Sequence, residues 1–316
     1  MRKVILFCTL LGILCSCSNS GEQKTSRTDT HTSGFAVFVA DDCFAPIVEQ
    51  EIAVFEGSNP DASLMALYTN EVEAVNMLLK DSVRLAILAR DLTENEKLGI
   101  KARNPILNPR SQKIAIDAIA LIINKENSDS LISTSQIHEI MTGGITSWKQ
   151  INPQSKYDNI TVVFDNPNSS TVRFIKDSIC VGKSLYDGLR AQDNNHAVLD
   201  YVAKTPNAMG IIGVNWISNP DDTTSMTFVD KIRVMSVSRT HPANLDNSFQ
   251  PLPAFLALGE YPLTRDVHIV LTDLRGTLPA GFLRFVTGDR GQRIILKAGL
   301  VPAMGTIRLI RMKDTF

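Results

Sequence analysis

The sequence lacks an excess of either charge. Its 32 Lys and Arg against 33 Asp and Glu leave a net charge of −1 over 316 residues. That excludes the basic field that holds nucleic acid and the polybasic patch that holds a membrane surface. An anion would have to be drawn in by a local site. Metal-ligand spacing is missing too. His31, His138, His196, His241 and His268 are scattered, with no pair at ligand spacing on one helix and no cysteine pair. No metal and no cofactor are expected. There is no Gly-x-Ser-x-Gly elbow. Ser169 with Asp165 mimics two members of a nucleophilic triad, but no histidine is placed by sequence to activate the serine. No dinucleotide fingerprint follows the first strand, which ends in acidic residues. Gly182-Lys183-Ser184 resembles the end of a nucleotide phosphate loop, but Asp177 stands where that loop needs its first glycine. No repeat divides the chain.

Cysteines are few. Of five, Cys8 and Cys15 fall in a leader and only Cys43 and Cys180 fall in the folded part, where two unpaired thiols are expected. The leader itself is Arg2-Lys3 followed by the apolar run Val4 to Leu14, too short to span a bilayer. Leu14-Cys15-Ser16-Cys17 then resembles a bacterial lipobox, with Cys17 as the lipidated residue. A plain cleaved signal is the alternative. Residues 1–16 are thus read as an export signal, and 17–34, rich in Ser and Thr, as a flexible tether. An apolar content of 44% and a charged content of 21% suit a globular remainder of about two domains.

That remainder alternates strand and helix. Phe35–Val39, Leu64–Tyr68 and Val83–Ala89 read as strands. The stripes Val48, Ile52, Phe55 and Val72, Val75, Leu78, Leu79 read as helices between them. Glu94 and Glu96 suit the first turn of another. The nearly unbroken run Ile114–Ile123 predicts a long strand interrupted only by Asp117. Ser135–Met141 predicts a short helix stopped by Gly143-Gly144, with Trp148 packing the turn beyond. Ala208–Gly213, Ile232–Val237, Phe255–Leu258 and Val267–Leu271 are strand candidates. The C-terminal part is helical, with Asp289 as a cap and Gly299 as a stop. The class is α/β with a largely parallel sheet.

The most informative stretch is Asp165-Asn166-Pro167-Asn168-Ser169-Ser170-Thr171. The strand Ile160–Phe164 leads into it, and a helix marked by Val172, Ile175 and Ile179 leads out. The first N–H groups of a helix lack internal partners and carry the positive end of its dipole. Among hydroxyl donors they form a site for a small oxyanion. An ordinary Ser/Thr cap is the other reading of the same residues.

In sequence order the segments resemble the bacterial phosphate-binding proteins of the PstS type, a branch of the periplasmic solute-binding family. Leu85–Glu94, Ile114–Ile122, Ile137–Trp148, Asn168–Thr171, Ala208-Met-Gly210, Tyr261-Pro-Leu-Thr-Arg265, Gly291-Gln292 and Gly299–Pro302 carry the resemblance. It implies a type II-like binding-protein fold: two lobes of mostly parallel sheet flanked by helices and joined by a two-strand hinge. Lobe 1 would be 35–122 with 241–316, and lobe 2 would be 123–240. It implies monohydrogen phosphate held in the interlobe cleft and delivered to the permease of an ABC importer. The implied protein is a non-enzymatic monomer, exported and tied to a membrane through Cys17. By residue, it places anion contacts on Cys43, Phe44, Thr69 or Asn70, Arg90, Ser169, Ser170 and Thr171.

The chain departs from that pattern in two charges. Arg90 stands where the family has an aspartate, and Asp165 where it has an arginine. The expectation is an exchange across the cleft, with Arg90 supplying the donor fork and Asp165 accepting the phosphate proton. An Arg90–Asp165 ion pair touching no ligand is the alternative. Cys43 departs from the family's Thr or Ser. Another tetrahedral oxyanion, a secreted phosphatase using the same cradle, and a ligand-free scaffold are the rival functions.

Overall fold

The computed structural model describes residues 28–219, 221–222, 227–273 and 276–305. The export signal 1–16, Cys17 and the tether as far as residue 27 lie outside the described residues.

The chain builds strands β1 (Gly34–Asp41), β2 (Ala62–Thr69) and β3 (Leu85–Leu88), separated by helices α1 (Ala45–Ser58) and α2 (Glu71–Leu79). Helix α3 (Glu94–Arg103) leads to the long strand β4 (Arg110–Ile123). Then come β5 (Leu131–Ser133), α4 (Thr134–Thr142), α5 (Trp148–Ile151), β6 (Thr161–Phe164), α6 (Ser170–Phe174), β7 (Arg190–Ala191), α7 (Asn195–Lys204) and β8 (Ala208–Gly213). The last third holds β9 (Arg233–Val234), β10 (Ser236–Ser238), β11 (Ser248–Phe249), α8 (Pro253–Ala257), β12 (Thr264–Leu271), α9 (Leu278–Val286), α10 (Asp289–Lys297) and β13 (Val301–Pro302).

The main sheet runs β2-β1-β3-β12-β4-β8-β6-β7, with β9 and β13 also on β4. Its outer strands are parallel: β1 with β2 and β3, and β6 with β7 and β8. Around the middle it is antiparallel, because β12 returns between β3 and β4 and β8 returns beside β4. Strand β4 serves both halves. Up to Ala118 it pairs with β12, and from Ile119 it pairs with β8. The return segment lies against this handover: Ile119 N–H donates to the Leu263 carbonyl at 2.9 Å, and Tyr261 OH donates to the Ile119 carbonyl at 2.7 Å. Two lobes thus share one crossing strand and one returning segment.

The apolar run explains why β4 sits there. A strand buried on both faces needs a near-continuous hydrophobic sequence, and Ala118 to Ile123 are wholly buried. Each large side chain so buried contributes roughly 1.5–3 kcal/mol. Trp148 is buried and donates its Nε1–H to the Asn207 carbonyl at 3.0 Å, as a packing residue should. Gly143 ends α4 at φ 85°, a left-handed conformation that glycine adopts without strain.

Two expectations are corrected. Phe255–Leu258 is not a strand; Pro253 opens α8 there, its fixed φ suiting the first helical turn. Asp289 lies in the first turn of α10, and Gly288 is the cap. Past residue 241, β11 pairs with β10 in a small sheet with β5. Cys43 and Cys180 are free and buried.

Candidate functional site

Two turns meet where the lobes face each other. In lobe 1, β1 runs into Asp41, whose Oδ1 accepts the Cys43 N–H at 3.0 Å and caps a short 3-10 turn over Asp42–Phe44. In lobe 2, β6 runs into the turn that starts α6. Ser169 is the cap there, its Oγ accepting the Val172 N–H at 3.2 Å. Ser169, Ser170 and Thr171 are all buried.

Between the turns lies a guanidinium that sequence reasoning did not assign: Arg265, on β12. It is buried and donates from Nε to Asp117 Oδ2 at 2.8 Å. Its Nη1 donates to Ser170 Oγ at 2.8 Å, and its Nη2 contacts Cys43 Sγ at 3.1 Å. The Phe44 ring lies under it, 5.2 Å from centroid to Cζ. Cys43 Sγ in turn is 3.2 Å from Ser170 Oγ, so the first lobe touches the capped turn of the second.

Beside this cluster is a cavity of about 190 Å³. Asp41, Asp42, Tyr68, Thr69 and Asn70 line it from lobe 1, and Asp165, Asn166, Ser169, Asp193 and Asn194 from lobe 2. Larger hollows of about 360 and 460 Å³ lie elsewhere and have none of these residues in their walls. Burial pushes the Asp41 carboxyl up to about 6, with Arg265 pulling the other way. Burial likewise raises Asp117, offset in part by Arg265, and Asp165, offset first by a hydrogen bond from Ser169. The Cys43 thiol is pushed far up by burial and stays protonated. One guanidinium therefore faces three carboxyl groups that desolvation disfavours as anions.

The expected residues divide. Thr69, Asn70, Asp165 and Ser169 line the cavity, while Cys43, Phe44 and Ser170 surround Arg265. Thr171 is buried, and its Oγ1 has no hydrogen-bond partner among the described residues. Arg90 is the correction. Its Nη1 and Nη2 fork onto Glu96 at 2.8 Å each, Nη1 also donates to the Asp91 carbonyl, and Nε donates to Glu71 at 3.2 Å. Most of its five N–H donors are committed on its own lobe. It does not pair with Asp165, whose Oδ2 accepts from Asn195 at 3.4 Å. The guanidinium that reaches the Ser169–Thr171 turn is instead that of Arg265. The sequence did carry it, as the last residue of Tyr261-Pro-Leu-Thr-Arg265, where it served only as a marker of the fold.

The lobes are also clasped by charge. Arg173 of α6 forks onto Glu71 of α2, with Nη2 to Oε2 at 3.1 Å, and reaches the Ala89 carbonyl at 3.3 Å. Asn195 of α7 donates to Asp42 at 3.0 Å. Among the described residues no group of three His, Cys, Asp or Glu is arranged to hold a metal ion, and no helix is long and apolar enough to cross a membrane.

A family model described as the PBP superfamily domain matches residues 25–290. Among curated proteins, the phosphate-binding protein PstS of Bacillus subtilis (strain 168) is 24% identical over 307 residues, covering 95% of this chain and 92% of that protein. The PstS of Borreliella burgdorferi is 22% identical over 313 residues, covering 95% and 99%. Among solved structures, a phosphate ABC transporter substrate-binding protein with bound phosphate from Clostridium perfringens aligns with a TM-score of 0.71 and 21% identity, covering 85% of this chain and 100% of that one. An ABC-type phosphate transport receptor from Vibrio cholerae aligns with a TM-score of 0.61 and 17% identity, covering 84% and 99%. Those structures share the two-lobed fold.

Proposed function

The chain belongs to the PBP superfamily, and from that membership we propose that it binds inorganic phosphate between its lobes and delivers it to an ABC importer. One observation carries the reading: a buried guanidinium, Arg265, reaches across from lobe 1 to Ser170 in the capped turn of lobe 2. A planar fork of donors beside hydroxyls and free helix-start amides is the chemistry that suits a tetrahedral oxyanion. The anion would enter between Arg265 and the turn, taking the donors that now meet each other. The PstS relatives, which the chain matches over nearly their full length, support the same ligand and the same importer. The protein makes no bond and works by closing its lobes on the ligand. We further propose that it is a monomer, held on the outer side of a membrane by lipid on Cys17.

The alternative of a phosphatase has little to build on. Ser169 Oγ is engaged as a helix cap, and no histidine lines the cavity.

Titration calorimetry with phosphate and sulfate tests the proposal. Phosphate binds and sulfate binds far more weakly, since sulfate brings no proton to Asp165. Arg265→Lys keeps the charge and loses the fork, and it weakens phosphate binding at least about thirtyfold, the scale of a lost buried charged contact. Arg90→Ala stays within about threefold of the parent, because Arg90 is spent on Glu96 and Glu71. The reverse ranking of the two variants would overturn the assignment of Arg265.

A further inference from the structure

We propose that Asn195 is the positioning residue that latches the lobes over the ligand: its amide, steadied by Asp165 of its own lobe, donates across the cleft to Asp42. This deepens the phosphate reading above and rests on it for the identity of the ligand.

The geometry carries the inference. Asn195 begins α7, and Asn194 before it caps that helix, its side chain accepting the Ala197 N–H at 2.9 Å. Asn195 is thus set on a capped helix start, and it is wholly buried. Its Nδ2 donates to Asp42 Oδ2 at 3.0 Å and to Asp165 Oδ2 at 3.4 Å. An amide nitrogen carries two N–H donors, one for each carboxylate. Asp42 lies in the turn after β1 and Asp165 in the turn after β6, so one side chain joins the two turns that meet at the cleft. The Asp165 carboxyl also receives the Ser169 side chain and the Asn166 N–H, which makes it a fixed support within lobe 2. Asp42 is the partner that opening takes away. A second asparagine of lobe 2 meets the same lobe 1 turn: Asn215 donates to the Cys43 carbonyl at 2.8 Å.

Charge explains why the latch is an amide. Asp41, Asp42, Asp165 and Asp193 line the interlobe cavity, and no lysine or arginine is among its lining residues. Arg265, whose charge acts on Asp165, is itself gripped by Asp117 at 2.8 Å. His196, the next residue of α7, is exposed and turns to Asp200 at 3.4 Å. An acid at position 195 would add a like charge to this group. A lysine there would offer a second cation to compete with Arg265 for an anion. A neutral donor joins two carboxylates without changing the net charge of the cleft. Hydrogen bonds to a carboxylate are among the stronger ones, and the bond to Asp42 exists only while the lobes are together. Losing it moves the population towards the open form, and apparent affinity falls with the fraction that remains closed.

The test uses the full chain and inorganic phosphate. Asn195→Ala is expected to weaken phosphate binding about tenfold through faster dissociation, the scale of one lost hydrogen bond to a charged group. In an Asp42→Ala background the same change is expected to cost less than about twofold, because the bond is already gone. A side chain that merely packed α7 would not couple in this way to a residue of the other lobe. Asn195→Asp keeps the shape and replaces the donor with a charge. Without phosphate, its radius of gyration by small-angle scattering is expected to match the parent at about pH 5, where adjacent carboxyls share a proton, and to exceed it at about pH 8, where they repel. A full tenfold cost of Asn195→Ala in the Asp42→Ala background, or an Asn195→Asp radius equal to the parent's at about pH 8, overturns the latch and leaves the phosphate reading standing. No phosphate binding by the parent overturns the phosphate reading, and the radii alone then decide for or against the latch.

Discussion

Glu51 shows how much one buried side chain can ask of a fold. It lies on α1, 3% exposed, among Ile47, Ile87, Ile114 and Val286, and neither carboxyl oxygen has a hydrogen-bond partner among the described residues. Burial pushes it up to about 9. Between the ordinary carboxylate range and about pH 9 the folded chain holds a proton that the unfolded chain has lost. Stability therefore falls as pH rises through that window, by about 1 kcal/mol per unit, and levels off above it. Glu51→Gln removes the ionisation, so the variant is expected to match the parent near pH 5 and to melt higher near pH 8. Melting curves for the two that stay parallel across that range would refute this. The same residue-level physics limits what a sequence discloses. Glu51 and Arg265 look like any charged residues in a string, because burial belongs to packing between distant segments. Arg90 misled for the complementary reason: its position beside a strand end was legible, but its partners Glu71 and Glu96 were not.

Among the elements, those with strong local rules were the readable ones. The run Ile114–Ile123 became β4, and Glu94 and Glu96 fell in the first turn of α3, where the structure adds a capping box between Thr93 and Glu96, each side chain bonding the other's backbone N–H. Glu96 does more than cap, since its carboxylate also receives Arg90. The start of α3 thus holds both terminal nitrogens of that arginine. Thr93→Ala should lower stability by about 1 kcal/mol in chemical denaturation and leave phosphate affinity unchanged. A large loss of affinity would mean that α3 is tied to the ligand after all. Short apolar segments were the unreadable ones. Phe255–Leu258 fits a strand as well as a helix by pattern, and only Pro253 two residues earlier favours α8. The capped turn at Ser169 was legible as geometry, but its neighbour across the cleft comes from 95 residues further along the chain, a distance over which no local rule operates.

At the scale of the whole molecule, the lobes are drawn together by Glu71 of α2 and Arg173 of α6. Glu71→Gln removes the charge that holds two arginines, and the ligand-free protein should then sample wider openings. Small-angle scattering would register this as a larger radius of gyration for the variant without phosphate, reduced when phosphate is added. Equal radii for variant and parent would assign the closed arrangement to other contacts, such as Asn195 with Asp42. The placement of Arg265 then has a mechanical meaning. Asp117, which grips it, is one residue from Ala118, the last β4 residue paired with β12 before Ile119 passes to β8. An anion held by that guanidinium, as proposed above, would pull at the fulcrum and not at the rim. On that proposal a small shift there would be levered into a wider swing at the outer edges, where an importer would meet the lobes.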